Sequence, residues 1–340
     1  MLHELTIKLM RGYDLSGKEM YAALEEILSK NANQVIAGAF LTALAIKGAT
    51  VDEITSGTKF LRNNCLQVHL DYPFTLDTCG TGGDGSNTYN ISTAVAFVAA
   101  AAGVIVVKHG NRSISSKSGS ADVLEKLGVN LSQSPEEIKV SLQKHGISFL
   151  FAPLFHKTMK NIGTVRKELG FRTIFNILGP LSNPASTKGQ VLGVFDAKLT
   201  EPLAKVLHNL GVRRALVVYG MDGMDEITVT TKTKVTELNN GVVSTYYISP
   251  EDYGISPCSS TELLGGDASH NANIIKNLFR GASGPKRDIL VLNSAAALYV
   301  AGKCPTIKEG VHYAKNLLDS GLVYNKFIQF TNKGDDSIVS

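Results

Sequence analysis

The sequence predicts an α/β protein in which a small N-terminal helical domain is joined to a larger α/β domain with a mainly parallel central sheet. Three observations carry this expectation. Up to about residue 65 the chain reads as helix alone; from Phe74 short apolar runs alternate with helical segments; and an Asn239-Asn240-Gly241 step later joins two longer β-rich runs. At 340 residues the chain is also longer than one compact core usually serves.

In the helical unit, Ser16-x-x-Glu19 and Thr50-x-x-Glu53 are capping boxes, and Val35, Phe40, Leu41, Leu44 and Ile46 supply the apolar content between them. Strands are expected at 74–77, 104–108, 147–151, 190–195 and 215–219, each apolar enough to be buried on both faces. Helices are expected near 92–102, 119–127, 135–145 (entered by the box Ser134-x-x-Glu137), 156–169 and 199–210. Strands over 226–238 and 242–248 then form a hairpin, helices near 286–302 and 307–319 close the domain, and a polar tail at 333–340 frays. The Gly179-Pro180 and Asn183-Pro184 steps punctuate a connection. The domain expectation is therefore a helical domain of 1–70 completed by about 157–184, and an α/β domain of 74–156 and 188–332, with hinges near 70–76 and 180–188.

Charge and cysteine narrow the class. A net charge of +4 without a basic run argues against nucleic acid as the main partner. Cys65, Cys79, Cys258 and Cys304 are scattered, as reduced thiols of a cytoplasmic protein would be. The longest apolar stretch, 94–107, is broken by Gly103 and too short to span a bilayer, so no membrane association is expected.

Three segments carry chemistry. The first, Asp77-Thr78-Cys79-Gly80-Thr81-Gly82-Gly83-Asp84, crowds glycines into the turn between a strand and a helix, where backbone N–H groups can curl around an anion. Asn90 follows as an expected N-cap, with Ser92 and Thr93 in the first helical turn, so a helix N-terminus adds donors and a favourable dipole. The second, from Lys108 through His109, Gly110, Asn111, Arg112, Ser113, Ile114, Ser115, Ser116 and Lys117 to Ser120, follows the next strand with cations and hydroxyls suited to phosphate oxygens. The third, Asp222-Gly223-Met224-Asp225-Glu226, puts adjacent carboxylates after a buried strand, and carboxylates beside a phosphate site suggest Mg2+. Taken singly, each has a plain alternative as a solvated turn; at successive strand ends they share one crevice.

Together with Arg172-Thr173-Ile174-Phe175-Asn176 and the helical N-terminus, these motifs resemble the anthranilate phosphoribosyltransferase family over nearly the whole chain. The resemblance implies a fold similar to the pyrimidine nucleoside phosphorylases, a homodimer associating through the helical domain, and a role in tryptophan biosynthesis. It also implies a donor site for 5-phosphoribosyl 1-diphosphate made of Gly80, Gly83, Asp84, Thr88, Asn90, Ile91, Ser92, Thr93, Lys108, His109, Gly110, Asn111, Arg112, Ser113, Ile114, Ser115, Ser116 and Ser120. By the same resemblance Ser92, Asp225 and Glu226 hold magnesium, Gly80, Asn111 and Arg166 contact anthranilate, and Lys108 acts electrostatically. A guanidinium fork suits the aromatic carboxylate.

The implied reaction is displacement of pyrophosphate from ribose C1 by the anthranilate amine, catalysed by placement and electrostatics. Cys79 is expected to pack rather than attack, and His109 to shape the acceptor pocket rather than act as a base, because an arylamine attacks through its lone pair. Ser120 and Met224 stand where alanine and leucine are frequent in the family, and neither removes an implied ligand. Two alternatives stay open: a pyrimidine nucleoside phosphorylase-like enzyme, which would need no metal, and a non-catalytic nucleic-acid-binding relative, whose binding would weaken steeply with salt.

Overall fold

In the computed structural model, which describes residues 1–113 and 117–331, the N-terminal helices are α1 (Leu2–Met10), α2 (Gly17–Ile27), α3 (Gln34–Lys47) and α4 (Val51–Asn63). Expectations for Ile114, Ser115, Ser116 and the tail fall outside the described residues. Both capping boxes form: the Ser16 and Thr50 hydroxyls accept the Glu19 and Glu53 N–H groups, while each glutamate accepts the cap residue's own N–H. In α3, Phe40, Leu41 and Leu44 are buried, but Val35 and Ile46 face outward.

The described residues also form a sheet of seven strands: β1 (Leu76–Gly80), β2 (Val106–Gly110), β3 (Ile147–Phe151), β4 (Gly189–Gly193), β5 (Arg214–Gly220), β6 (Thr233–Asn239) and β7 (Val242–Ile248). Their order is β3-β2-β1-β4-β5-β6-β7, with β1 to β5 parallel and β6 and β7 antiparallel. Between and after them run α5 (Ile91–Ala101), α6 (Ser120–Lys126), α7 (Pro135–His145), α8 (Ala152–Phe155), α9 (Gly163–Leu169), α10 (Ile174–Leu181), α11 (Thr200–Asn209), α12 (Ala268–Phe279), α13 (Pro285–Val300), α14 (Ile307–Asp319) and α15 (Leu322–Thr331).

Side chains alternate across each strand, so the sheet divides mainly between two cores, while Val107 of β2 and Leu150 of β3 pack in a third, smaller cluster with Ile138, Leu142 and Phe155. Leu76, Val106, Val191, Leu216 and Val218 share one core with α5, α13 and α14, whose Phe97, Leu290, Leu298 and Val311 are buried. Cys79, Leu192, Ala215 and Val217 share the other with Leu203 and Leu207 of α11 and with Leu24, Phe40 and Leu61 of the N-terminal helices. Ile162, Val165, Ile174, Phe175, Leu178 and Leu181 lie in this second core.

Several boundaries differ from expectation. β1 begins two residues later and ends at Gly80, because its whole length pairs with β4 from Leu76–Gly189 to Gly80–Gly193. The 156–169 helix divides into α8, a 3-10 turn over Lys157–Ile162 and α9. The 226–238 strand starts only at Thr233: Thr228 and Thr230 donate to Asp222, and Asn293 of α13 pairs with the Ile227 backbone, so 226–232 is held as a turn. Helices α10, α12 and α15 were not expected, and the Gly179-Pro180 step, read as punctuating a connection, lies within α10.

Strand order also locates the binding crevice. From β1 the chain moves outward through β2 to β3, then returns to β4 on the opposite side of β1. Ligands of open α/β sheets bind at the carboxyl ends of the strands where such a reversal occurs. Here that point is the β1 turn beside the end of β4.

Candidate functional site

A cleft of about 790 Å³ opens at this reversal, lined by the turn after β1, the start of α5, the loop after β2, the Asp225-Glu226 pair and, opposite, residues between 152 and 182. Gly80, Gly83, Asp84, Thr88, Asn90, Ile91, Ser92, Lys108, His109, Gly110, Asn111, Arg112, Ser113, Ser120, Arg166, Asp225 and Glu226 all line it. Thr93 does not; its side chain is fully buried in the core beneath. That expectation is corrected, because only two residues of the first turn of α5 fit on the cleft side while the next points inward.

The glycine turn is shaped from both sides. Gly82 and Gly83 have φ of 67° and 71°, the left-handed region that suits glycine. The Gly82 N–H donates to Asp225 Oδ2 at 2.7 Å, and a Cβ on Gly80 would lie 2.4 Å from the same oxygen. Thr81 ties the turn to β4: its N–H donates to the Gly193 carbonyl at 3.0 Å, and its hydroxyl accepts the Phe195 N–H at 3.0 Å. Arg172, from the far wall, stacks 4.1 Å above the Phe195 ring and donates to the Gly83 carbonyl.

Three carboxylates meet below this turn. Asp84 Oδ2 accepts the Asp225 N–H at 3.3 Å, and Glu226 Oε1 accepts the Ser92 N–H at 3.1 Å at the start of α5. Burial, then the facing Asp84 charge, raises the Asp225 carboxyl to about 7; burial and Asp225 push Glu226 well above the ordinary carboxylate range. Lys108 is buried under the turn, donating to the Thr78 carbonyl and, at 3.2 Å, to Ser92 Oγ. Burial lowers its pKa, while Asp77 and Glu226 oppose that shift. Among the described residues no three or more His, Cys, Asp or Glu side chains are grouped so as to hold a metal ion by themselves. Hard oxygen donors in an open arrangement suit a magnesium ion that keeps waters and substrate oxygens as ligands.

Other assignments shift in detail. Asn90 is the N-cap of α5 but makes no capping bond with its side chain, which is committed elsewhere. The Arg112 guanidinium donates to Asp122 at 2.8 Å and to Glu125 at 3.0 Å, so it lies along α6. Arg166 lies 5.4 Å over the Phe175 ring, and burial lowers its pKa. The Cys79 thiol is buried, accepts from Gln190 Nε2 at 3.1 Å, and is pushed up by burial and Asp77, away from the thiolate a nucleophile needs.

His109 is pushed well below its usual range by burial and by the neighbouring His156, Arg62 and Lys108, so its ring is neutral. Its Nε2 has no hydrogen-bond partner among the described residues, and its ring centroid is 5.2 Å from that of His156. Asp77, raised to about 6 mainly by burial, accepts the His109 N–H at 3.2 Å and the Asn183 amide at 2.8 Å, and so joins β1, β2 and the segment after α10. Sequence reasoning missed His156, Arg172 and Asn183 as cleft-shaping residues. Arg172 and Asn183 lay within motifs already singled out, but the chain offers no spacing that pairs them with Gly83 or Asp77.

Two family models match the chain: a glycosyl transferase family helical bundle domain over residues 3–65 and a glycosyl transferase family a/b domain over 73–324. An anthranilate phosphoribosyltransferase of Acetivibrio thermocellus is 55% identical over 335 residues, covering 98% of this chain and 97% of that protein. One of Methanobrevibacter smithii is 51% identical over 335 residues, covering 98% and 100%. Among solved structures, the anthranilate phosphoribosyltransferase of Thermus thermophilus superposes with a TM-score of 0.90 at 39% identity, covering 96% of this chain and 98% of that one. That of Saccharomyces cerevisiae in complex with PRPP and Mg superposes at 0.89 with 28% identity, covering 97% and 96%.

Proposed function

The chain belongs to the anthranilate phosphoribosyltransferase family, and from that premise we infer how its own residues carry out the transfer. It is a glycosyltransferase that moves the 5-phosphoribosyl group of 5-phosphoribosyl 1-diphosphate onto the amine of anthranilate, with release of pyrophosphate, in tryptophan biosynthesis. With relatives this similar over their full length, the phosphorylase and nucleic-acid-binding alternatives fall away.

The observation that carries the site assignment is the convergence, at one strand-order reversal, of the glycine turn, the α5 N-terminus, the loop after β2 and the acidic pair. In this reading the donor's phosphates lie against the amides of the turn and of α5, where backbone dipoles favour negative charge. Ser92, Asp225 and Glu226, with Asp84 beside them, fit magnesium by donor chemistry; the Ser92 N–H donates to Glu226, and its Oγ accepts from Lys108 at 3.2 Å. When bound, the ion supplies charge neutralisation on the departing pyrophosphate. Lys108 adds fixed positive charge beneath the same oxygens.

Anthranilate enters from the opposite wall, its carboxylate toward Arg166 and its amine toward ribose C1, with Asn111 and Gly80 between. The C1–N bond forms from the amine lone pair as the C1–O bond to pyrophosphate breaks, and the amine then sheds a proton. His109 and His156, both held neutral with depressed pKa values, are poor bases and unsuited to proton abstraction from the acceptor. The assay is direct: anthranilate fluorescence is expected to fall when donor and magnesium are both added and to persist when either is omitted. Persistence with both present overturns the reading.

Three further assignments follow. We take the helical domain as 1–70 completed by 157–184, which is supported by the core that Ile162, Phe175 and Leu178 share with Leu24 and Phe40. We assign the protein to the cytoplasm, supported by four unbridged cysteines; no helix among the described residues is long and apolar enough to cross a membrane. We assign a homodimer through the helical domain, supported by Met10, Val35 and Ile46 on α1 and α3, which are 73%, 82% and 83% exposed. Sedimentation is expected to give a dimer that Val35→Glu with Ile46→Glu converts to a monomer; a monomeric native protein overturns the assignment.

A further inference from the structure

Asn90 starts α5 without capping it because its amide is held by a residue outside the cleft. Asn271 of α12, 1% exposed, accepts the Gly266 N–H at 2.7 Å through Oδ1. Through Nδ2 it donates to Asn90 Oδ1 at 3.0 Å and to Ser118 Oγ at 2.9 Å. Asn90 in turn donates to the Ser118 carbonyl at 3.3 Å. One side chain thus joins the end of the glycine turn to the end of the loop after β2.

The backbone around Asn271 reinforces the join. Gly265 N–H donates to the Asn87 carbonyl at 2.9 Å, and Thr88 pairs with Leu264 in an antiparallel bridge. The packing is close enough that a Cβ on Gly265 would lie 2.5 Å from Asn271 Oδ1 and 2.7 Å from Tyr89 N. Segment 264–271 is therefore a clasp on the far side of the pocket wall, and Asn271 is the part of it that reaches both loops.

We propose that Asn271 is a positioning residue for the phosphoribosyl donor, holding Asn90 and Ser118 at the separation the bound donor requires. The inference rests on the reading that these two loops bind the donor. Its physical basis is preorganisation: loops already tied together cost less to order when the ligand arrives, and a pocket populated only part of the time binds proportionately more weakly. The residue type follows from the bonds. An asparagine amide both accepts from Gly266 and donates to two loop oxygens; aspartate keeps the first function and loses the second, and an apolar side chain loses both.

The test is steady-state kinetics in both substrates, with thermal unfolding measured alongside, on Asn271→Ala, Asn271→Asp, Ser118→Ala, the Asn271→Ala/Ser118→Ala double variant and Asn90→Ala. Asn271→Ala is expected to raise the donor KM about tenfold while kcat and the anthranilate KM stay within about twofold. Asn271→Asp is expected to do at least as much harm, since its carboxylate faces Asn90 Oδ1 with no N–H to offer. The double variant is expected to be no worse than Asn271→Ala alone, the signature of a shared bond. An unchanged donor KM, or losses in kcat and both KM values that simply track the unfolding temperature, overturns the proposal. Should the Asn271 variants fail to fold, Ser118→Ala decides alone: a raised donor KM supports the link and an unchanged one removes it. Asn90→Ala separates the two levels of inference. If it leaves the donor KM unchanged, the donor-loop reading itself falls; if it raises that KM while Asn271→Ala does not, only the role of Asn271 falls.

Discussion

Asp225 and Glu226 illustrate how a common dipeptide acquires chemistry. In a surface turn two adjacent carboxylates would be solvated and inert; here both are half-buried, Asp225 bonds the glycine turn and Glu226 bonds the start of α5. Each is therefore held against an element that lines the cleft. Replacing them by Asn and Gln is expected to lower kcat/KM by roughly 100-fold, the scale seen when one preorganised charge is lost at a transition state. A magnesium titration of the fluorescence assay checks this, with half-saturation moving to higher concentration in each variant. The dipeptide was legible in the sequence, and the structure brings it beside the glycine turn. That Asp84 joins it was not, since the two lie 141 positions apart and are brought together only where the turn after β1 meets the chain beyond β5 across the end of β4, the strand between them. Arg112 shows what a loop sequence leaves out: Asp122 and Glu125 on the next helix engage its guanidinium while the residue lines the cleft.

The elements best foreseen are those with local signals. α7 begins at Pro135 behind the Ser134–Glu137 box, ends at His145 and is followed by Gly146 with φ of 72°, as a helix start and stop written in adjacent residues should be. Ser134→Ala is expected to cost about 1 kcal/mol of stability. Because Ser134 lies outside the cleft, thermal unfolding is expected to shift while kcat and both KM values hold. The β6–β7 hairpin was equally legible, with Asn240 and Gly241 at positive φ between two runs of β-rich sequence. Elements fixed by distant partners were missed. The 226–232 turn has strand-like composition, yet the Asn293 amide occupies the Ile227 N–H and carbonyl and prevents the chain from continuing as strand there. α12 escaped notice because its polar residues include Asn271, whose partners are loops far away in the chain.

At the scale of the whole molecule, the cleft lies where the sheet meets the segment that returns through α8 to α10, and its far wall is built on buried neutral histidines. His156 is held down at about 4, chiefly by burial, with its Nε2 2.9 Å from the Ser182 carbonyl. Since the unfolded chain takes up a proton near pH 6.5 and the folded ring does not until about 4, this residue's contribution to stability is complete above pH 6.5 and is lost as the pH falls toward 4. Asp77, raised to about 6, works in the opposite direction, so the contribution of His156 is best read as a difference. Relative to His156→Gln, the native protein is expected to lose about 3 kcal/mol between pH 6.5 and 4, measured by denaturant unfolding at each pH. By itself the sequence determined the class of fold, the glycine turn, the acidic pair and the family, because capping boxes, apolar periodicity and short motifs are properties of neighbouring residues. Tertiary structure alone decided that Thr93 turns into the core, that Asp84 joins the acidic pair, that Arg172 reaches Gly83, and that His156 and Asn271 shape a cleft whose motifs never mention them. Those facts depend on strand order and on contacts between segments far apart in the chain, 141 residues for Asp84 with Asp225 and 153 for Asn271 with Ser118, which no local pattern encodes.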